Sequence, residues 1–244
     1  MMDSLGSFAV LLALTACAYA FLAGILAHVK KQAILGATAR RAGVTIFPTL
    51  SVAMACLWGL FLTDDFSIAY VANHSNRDLP VLYKFAALWS GQEGSLLFWS
   101  WILSGYMFFV LLRHREEGEL RPLAGVILAG VQLFFLILNA FIVSPFRVLA
   151  EVAPDGATRP FVPADGRGLN PLLQYPEMVL HPPTLYLGYV GFSVPFAFAL
   201  AALITRSPGE RWIHVTRRWT MIAWGFLTLG ILMGAHWAYA VLGW

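Results

Sequence analysis

Apolar residues run along this chain in long blocks separated by short polar connections, and the blocks have the length a bilayer demands. A helical span needs about 20 predominantly apolar residues. Six stretches meet that length, at residues 5–27, 44–62, 94–112, 123–143, 183–204 and 221–242. The pattern predicts an all-α integral membrane protein with six transmembrane helices, forming a single domain over residues 1–244. The first stretch has no basic residue before it and is longer than the apolar part of a secretion signal, so it reads as an uncleaved first helix. Pro195 removes a backbone donor within the fifth, which predicts a loosened turn between Gly191 and Pro195.

The connections differ in texture. Those after the first, third and fifth stretches are short and carry 11 Lys and Arg; those after the second and fourth carry 5. By the positive-inside rule the basic set is cytoplasmic and both termini face outward. The outer loops then cover about residues 64–92 and 144–182. Residues 79–89 are half apolar, and predict a helix lying in the outer interface with Tyr83 and Trp89 as anchors. Residues 144–180 hold six prolines, too many for a flexible linker. Loops of that length are usually functional or disordered.

Composition agrees with a membrane location. Hydrophobic residues make up 59% of the chain and charged residues only 12%, against about 25% charged in a soluble domain. The net charge of +3 follows from the cytoplasmic Lys and Arg, so it does not argue for nucleic acid. Cys17 and Cys56 lie inside apolar blocks with no metal-ligand or redox spacing. No Ser-His-Asp set, phosphate loop or paired-carboxylate site is present to suggest a hydrolase or a nucleotide enzyme.

Chemistry therefore rests on a few side chains. His28, His114 and His214 fall at cytoplasmic helix ends and read as solvated. His181 stands before Pro182 and Pro183 at the outer mouth of the fifth helix; the prolines predict an extended residue just ahead of the helix, with its imidazole held rigidly. An imidazole so placed is either a structural group or an iron ligand. His74 in the outer loop is a loop hydrogen-bonding group or a partner contact. His236, near the outer end of the sixth helix, either has a functional role at membrane depth or caps an aromatic cluster with Trp237 and Tyr239. Glu93 opens the third helix, where a carboxylate favours the N-terminus; a proton or ligand role is the alternative.

Three segments carry a resemblance. Residues 168–191 read GLNPLLQYPEMVLHPPTLYLGYVG. The second segment holds His74, Ser75, Asn76, Leu79, Pro80, Tyr83 and Lys84, followed by WSGQEGSLLFW at 89–99. The third holds Arg218, Trp219, Trp224, Gly230, Trp237, Tyr239 and Trp244. Together they resemble the CcmF family, the large membrane subunit of the bacterial System I cytochrome c haem lyase, and its nitrite-reductase-associated paralogue. The resemblance implies a protein of the bacterial inner membrane. It would take haem from a haem chaperone on the outer face and join its vinyl groups to a C-x-x-C-H motif in apocytochrome c, alongside other membrane subunits of the maturation complex. It also implies that His181 is the first of two axial ligands to that b-type substrate haem, with Trp237 and Trp244 among the aromatic groups around it. The family's tryptophan-rich motif, its second outer histidine and both ligands of its intramembrane b haem would follow Trp244, so the chain matches the N-terminal part of such a protein. Gln92 and Ala240 depart from the family pattern. Two other readings stand beside this one: a haem or small-solute permease lined by Glu93 and His236, and a non-catalytic assembly scaffold.

Overall fold

The computed structural model describes residues 1–113, 120–152, 156–207 and 210–243, so His114 and Trp244 lie outside the described residues. The helices are α1 (Met2–Lys30), α2 (Ala33–Leu62), α3 (Ala69–His74), α4 (Val81–Ala86), α5 (Gln92–Arg113), α6 (Leu120–Ile137), α7 (Pro176–Gly191), α8 (Ser193–Thr205) and α9 (Arg211–Trp237). Among the described residues six spans are long and apolar enough to cross a membrane, with α7 and α8 together making the fifth. The all-α membrane architecture read from the apolar blocks is therefore the one observed. Single π-helical turns extend α6 over Leu138–Ile142 and α9 over Ala238–Leu242.

The helices run further than the apolar blocks. α2 begins at Ala33 rather than near residue 44, because hydropathy marks what lipid covers and not where hydrogen bonding starts. Arg40 and Arg41 thus lie on the first turns of a helix. Only Lys31 and Gln32 join α1 to α2; Lys31 takes a left-handed conformation (φ 51°), and Gln32 N–H donates to Ala27 O at 3.1 Å. The interior of the bundle forms along α2, where Leu50, Ala53, Met54, Leu57, Leu60 and Phe61 are all buried at helical spacing. α1 and α5 pack on α2, α6 packs on α1 and α8, and α9 packs chiefly on α7. α9 turns most of its apolar surface outward, as Met221, Trp224, Leu229 and Leu232 illustrate.

The fifth span carries the loosened turn that Pro195 predicts, with Phe192 separating α7 from α8. Its start differs from expectation. α7 begins at Pro176, seven residues before Pro183, and takes Pro182 and Pro183 into its interior. His181 is therefore helical and not an extended residue ahead of the helix. An interior proline leaves the carbonyl four residues back without its helical donor. For Pro182 that carbonyl belongs to Met178, and it accepts a hydrogen bond from the Trp89 indole Nε1–H at 2.9 Å. A donor from a neighbouring element is what permits a proline inside a membrane helix.

The two long connections join into one cap at the end of the bundle where α5 and α7 begin. Ala69 N–H donates to Arg147 O (2.9 Å), Leu149 N–H to Ser67 O (2.7 Å) and Arg167 N–H to Ala72 O (2.7 Å). A short antiparallel pair, β1 (Ala150–Val152) and β2 (Thr158–Pro160), projects from the second connection. The proline-rich segment is thus tied down by backbone pairing with the first loop, and its last residues belong to α7. Lys84 on α4 is buried, and its Nζ sits 2.7 and 2.6 Å from the two Asp64 carboxylate oxygens. Trp89 is buried too, so it faces the protein and not the interface; its aromatic character suited an anchor but its indole N–H is used on Met178.

Candidate functional site

α7 and α9 approach each other closely because glycines line the contact. A Cβ on Gly188 would lie 2.5 Å from Leu227 Cα, and one on Gly230 would lie 2.8 Å from Leu185 Cα. Gly230 and Gly234 form a Gly-x-x-x-Gly step, the spacing that lets membrane helices come together. One turn nearer the cap, the imidazole of His181 fills the space over this step. A Cβ on Gly234 would come within 2.6 Å of His181 Cε1.

His181 Nδ1 lies 2.8 Å from Gly230 O. A carbonyl oxygen only accepts, so Nδ1 carries the proton and donates it. In the neutral ring this leaves the lone pair on Nε2. Fixing one ring nitrogen on a carbonyl, and thereby the tautomer, is what commonly orients a histidine that binds a metal through the other nitrogen. The Trp237 ring is 5.9 Å from the imidazole, tilted by 51°. Its Nε1–H is buried and finds no hydrogen-bond partner among the described residues.

Glu177 and His181 stand four residues apart, on one face of α7. Glu177 Oε1 accepts from His236 Nδ1 across the helix pair at 2.7 Å, while Glu177 Oε2 is buried with no partner among the described residues. His236 thus pairs with a carboxylate and does not cap a cluster with Tyr239, which is exposed. Leu180, Leu232 and Met233 complete an open groove of about 360 Å³ beside this pair. His181 flanks that groove and does not line it.

The remaining sequence candidates sit elsewhere. His74 Nδ1 donates to Tyr70 O at 2.8 Å, and its ring lies 4.4 Å from the Tyr70 ring. Tyr70 is buried; burial pushes its phenol well above the usual tyrosine range and keeps the proton on. That hydroxyl donates to Leu88 O (2.9 Å) and accepts from Gly91 N–H (2.9 Å), closing the turn that leads into α5. Glu93 is half-buried in the first turn of α5, in the electrostatic range of Tyr70. The structure therefore brings His181, Trp237 and His236 together and places His74 and Glu93 in a separate node. Trp244 lies outside the described residues.

Sequence reasoning missed Glu177 as a site residue. Two signals pointed to it: proline in the first helical position and an acidic side chain in the first turn mark a helix start at Pro176. It also left unused the Gly230–Gly234 step, which marks α9 as a partner for close packing.

Fold and site define a polytopic helical membrane protein that presents an oriented imidazole where two glycine-packed helices meet a cap of joined loops. The chain belongs to the cytochrome c assembly protein family, whose profile matches residues 89–244. It is similar to the cytochrome c-type biogenesis protein CcmF of Haemophilus influenzae, with 41% identity across 100% of this chain and 36% of that protein. It is also similar to CcmF of Pseudomonas aeruginosa, at 46% identity over 84% of this chain and 30% of that one. A solved structure described as cytochrome c heme lyase CcmF superposes with a TM-score of 0.84 at 32% identity, over 100% of this chain and 37% of that chain. The chain thus spans about a third of the length of these relatives, and matches their N-terminal part.

Proposed function

We propose that this chain acts in cytochrome c biogenesis by holding a substrate haem for covalent attachment to apocytochrome c, with His181 as an axial ligand to the iron. The observation that carries the reading is the 2.8 Å contact of His181 Nδ1 with Gly230 O, which leaves Nε2 as the donor. A single oriented imidazole suits iron already held by a porphyrin. Among the described residues no three His, Cys, Asp or Glu side chains converge on a common point as a bare metal ion would need. Trp237 adds an aromatic face beside the imidazole. Haem brings vinyl groups that can form thioether bonds with cysteine thiols. The protein's contribution is placement, since holding the reacting groups together supplies much of such a rate.

The reading extends to location and partners. Kinship with bacterial cytochrome c biogenesis proteins supports the bacterial inner membrane, and the uneven Lys and Arg distribution supports an orientation with the loop cap and both termini outside. There a haem chaperone, apocytochrome c and other maturation subunits would meet it. The permease alternative gains nothing from the structure, because Glu93 and His236 belong to separate clusters.

Two measurements test this. In haem titrations of the whole purified protein, with the second outer histidine present, followed by absorption, His181→Ala is expected to weaken binding by at least about tenfold, a loss of ~1.4 kcal/mol. Equal titration curves would remove His181 as a ligand. For orientation, a cysteine replacing Arg206, exposed between α8 and α9, should resist a membrane-impermeant thiol reagent in intact cells and react once the membrane is opened. The native Cys17 and Cys56 are buried and give little background. Labelling in intact cells would invert the topology.

A further inference from the structure

The end of the bundle opposite His181 holds a crevice of about 550 Å³ bounded by α1, α2, α5 and α6. Small residues, among them Ala20, Gly24, Gly36, Ala39 and Gly125, line it together with Met107, Leu111 and Leu123. The helices close tightly next to it, where a Cβ on Gly43 or Gly125 would overlap Leu111. Beside Gly36 they part: a Cβ there would meet only Ala27, at 3.6 Å. The crevice is therefore a gap between close contacts, with mostly apolar walls and several small side chains.

Its rim is basic. His28, Lys31, Arg40 and Arg121 all border it, and no carboxylate is found among its described lining residues. Arg121 Nη1 donates to Leu111 O at 3.4 Å. Lys31 stands on the two-residue link between α1 and α2, its position fixed by the left-handed turn, and Arg40 lies on α2 two turns away. An apolar slot beneath a cationic rim, at the end of a membrane bundle, matches an amphiphile with one negative head and a hydrocarbon tail. A free inorganic anion gains nothing from the apolar walls. A zwitterionic lipid brings its own cation to the rim.

We infer that this crevice seats an acyl chain of an anionic phospholipid whose phosphate is held by Lys31 and Arg40. The inference does not depend on the role of His181, which lies at the other end of the helices. The test is thermal unfolding of the full purified chain in a neutral detergent, titrated with phosphatidylglycerol, phosphatidylcholine or inorganic phosphate. Phosphatidylglycerol is expected to raise the unfolding temperature saturably, and the other two to have little effect. Lys31→Gln and Arg40→Gln should each weaken the phosphatidylglycerol response about fivefold, as expected for one basic charge near a membrane surface. Gly36→Leu fills the slot from a position with room for a side chain, and should abolish the response. Lys30→Gln removes the same charge from a residue that does not line the crevice, and should leave the response unchanged. An equal response to phosphatidylcholine, a response to phosphate alone, or equal weakening by Lys30→Gln would each overturn the assignment. If a rim variant fails to fold, the Gly36→Leu and Lys30→Gln arms still decide between a seated lipid and general charge attraction.

Discussion

Replacing His181 with Ala is expected to abolish cytochrome c maturation in cells that depend on this protein, while the chain still inserts and accumulates. The loss should be on the order of 100-fold or more, because a misplacement of about 1 Å at a reacting centre already costs about that much. Insertion should survive for a separate reason. The imidazole is half-buried, it donates to Gly230 O, and that carbonyl also lies within a continuous helix. Losing one hydrogen bond of this kind costs about 1 kcal/mol, too little to unfold a six-helix bundle. Haem-stained c-type cytochromes measure the first effect and immunoblots of membranes the second. Normal maturation in the variant would refute the ligand role. Loss of the protein from the membrane would show that His181 is structural.

The second large effect is expected from Gly188→Ala, a change of one methyl group that does not touch the imidazole. The new Cβ would meet the backbone of Leu227, which cannot move aside as a side-chain tip can. α7 and α9 must then separate, and the Gly230 carbonyl moves away from His181 Nδ1. A metal-binding histidine that loses the partner of its other nitrogen typically loses about 10- to 100-fold in affinity. Haem affinity and maturation should therefore both fall although His181 is intact. Gly225 supplies the control: it lies on α9 with no atom within 4 Å of an added Cβ, so Gly225→Ala should be silent. If Gly188→Ala binds haem as tightly as the wild type, the helix contact does not position the ligand.

The membrane fold was legible because its cause is averaged over long windows. Some 20 consecutive apolar residues leave few alternatives, and all six spans were found from them. Ends were harder to read, since helix hydrogen bonding continues past the lipid into polar sequence, as at the start of α2. The start of α7 was misplaced for a more specific reason. Pro182 and Pro183 look like a helix beginning, and what makes them tolerable inside a helix is a donor from Trp89, on another element. No local pattern reports such a donor. His181 stood out in its sequence block, and the structure sets its imidazole against the Gly230 carbonyl, whereas the pairing of His236 with Glu177 required knowing that α7 and α9 are neighbours.

The indole that serves Met178 also bears on how the chain is built. Trp89 and Met178 are 89 residues apart, and the donor comes first in the sequence. A ribosome therefore delivers the indole long before the carbonyl that needs it. Had the order been reversed, the first turn of α7 would pack against the bundle with a buried, unpaired carbonyl, a cost of about 1–3 kcal/mol. As the chain stands, the loop that carries Trp89 can settle on the earlier helices and wait. The emerging helix then docks against a surface that already satisfies its weakest turn, so the direction of synthesis works with the proline pair and not against it.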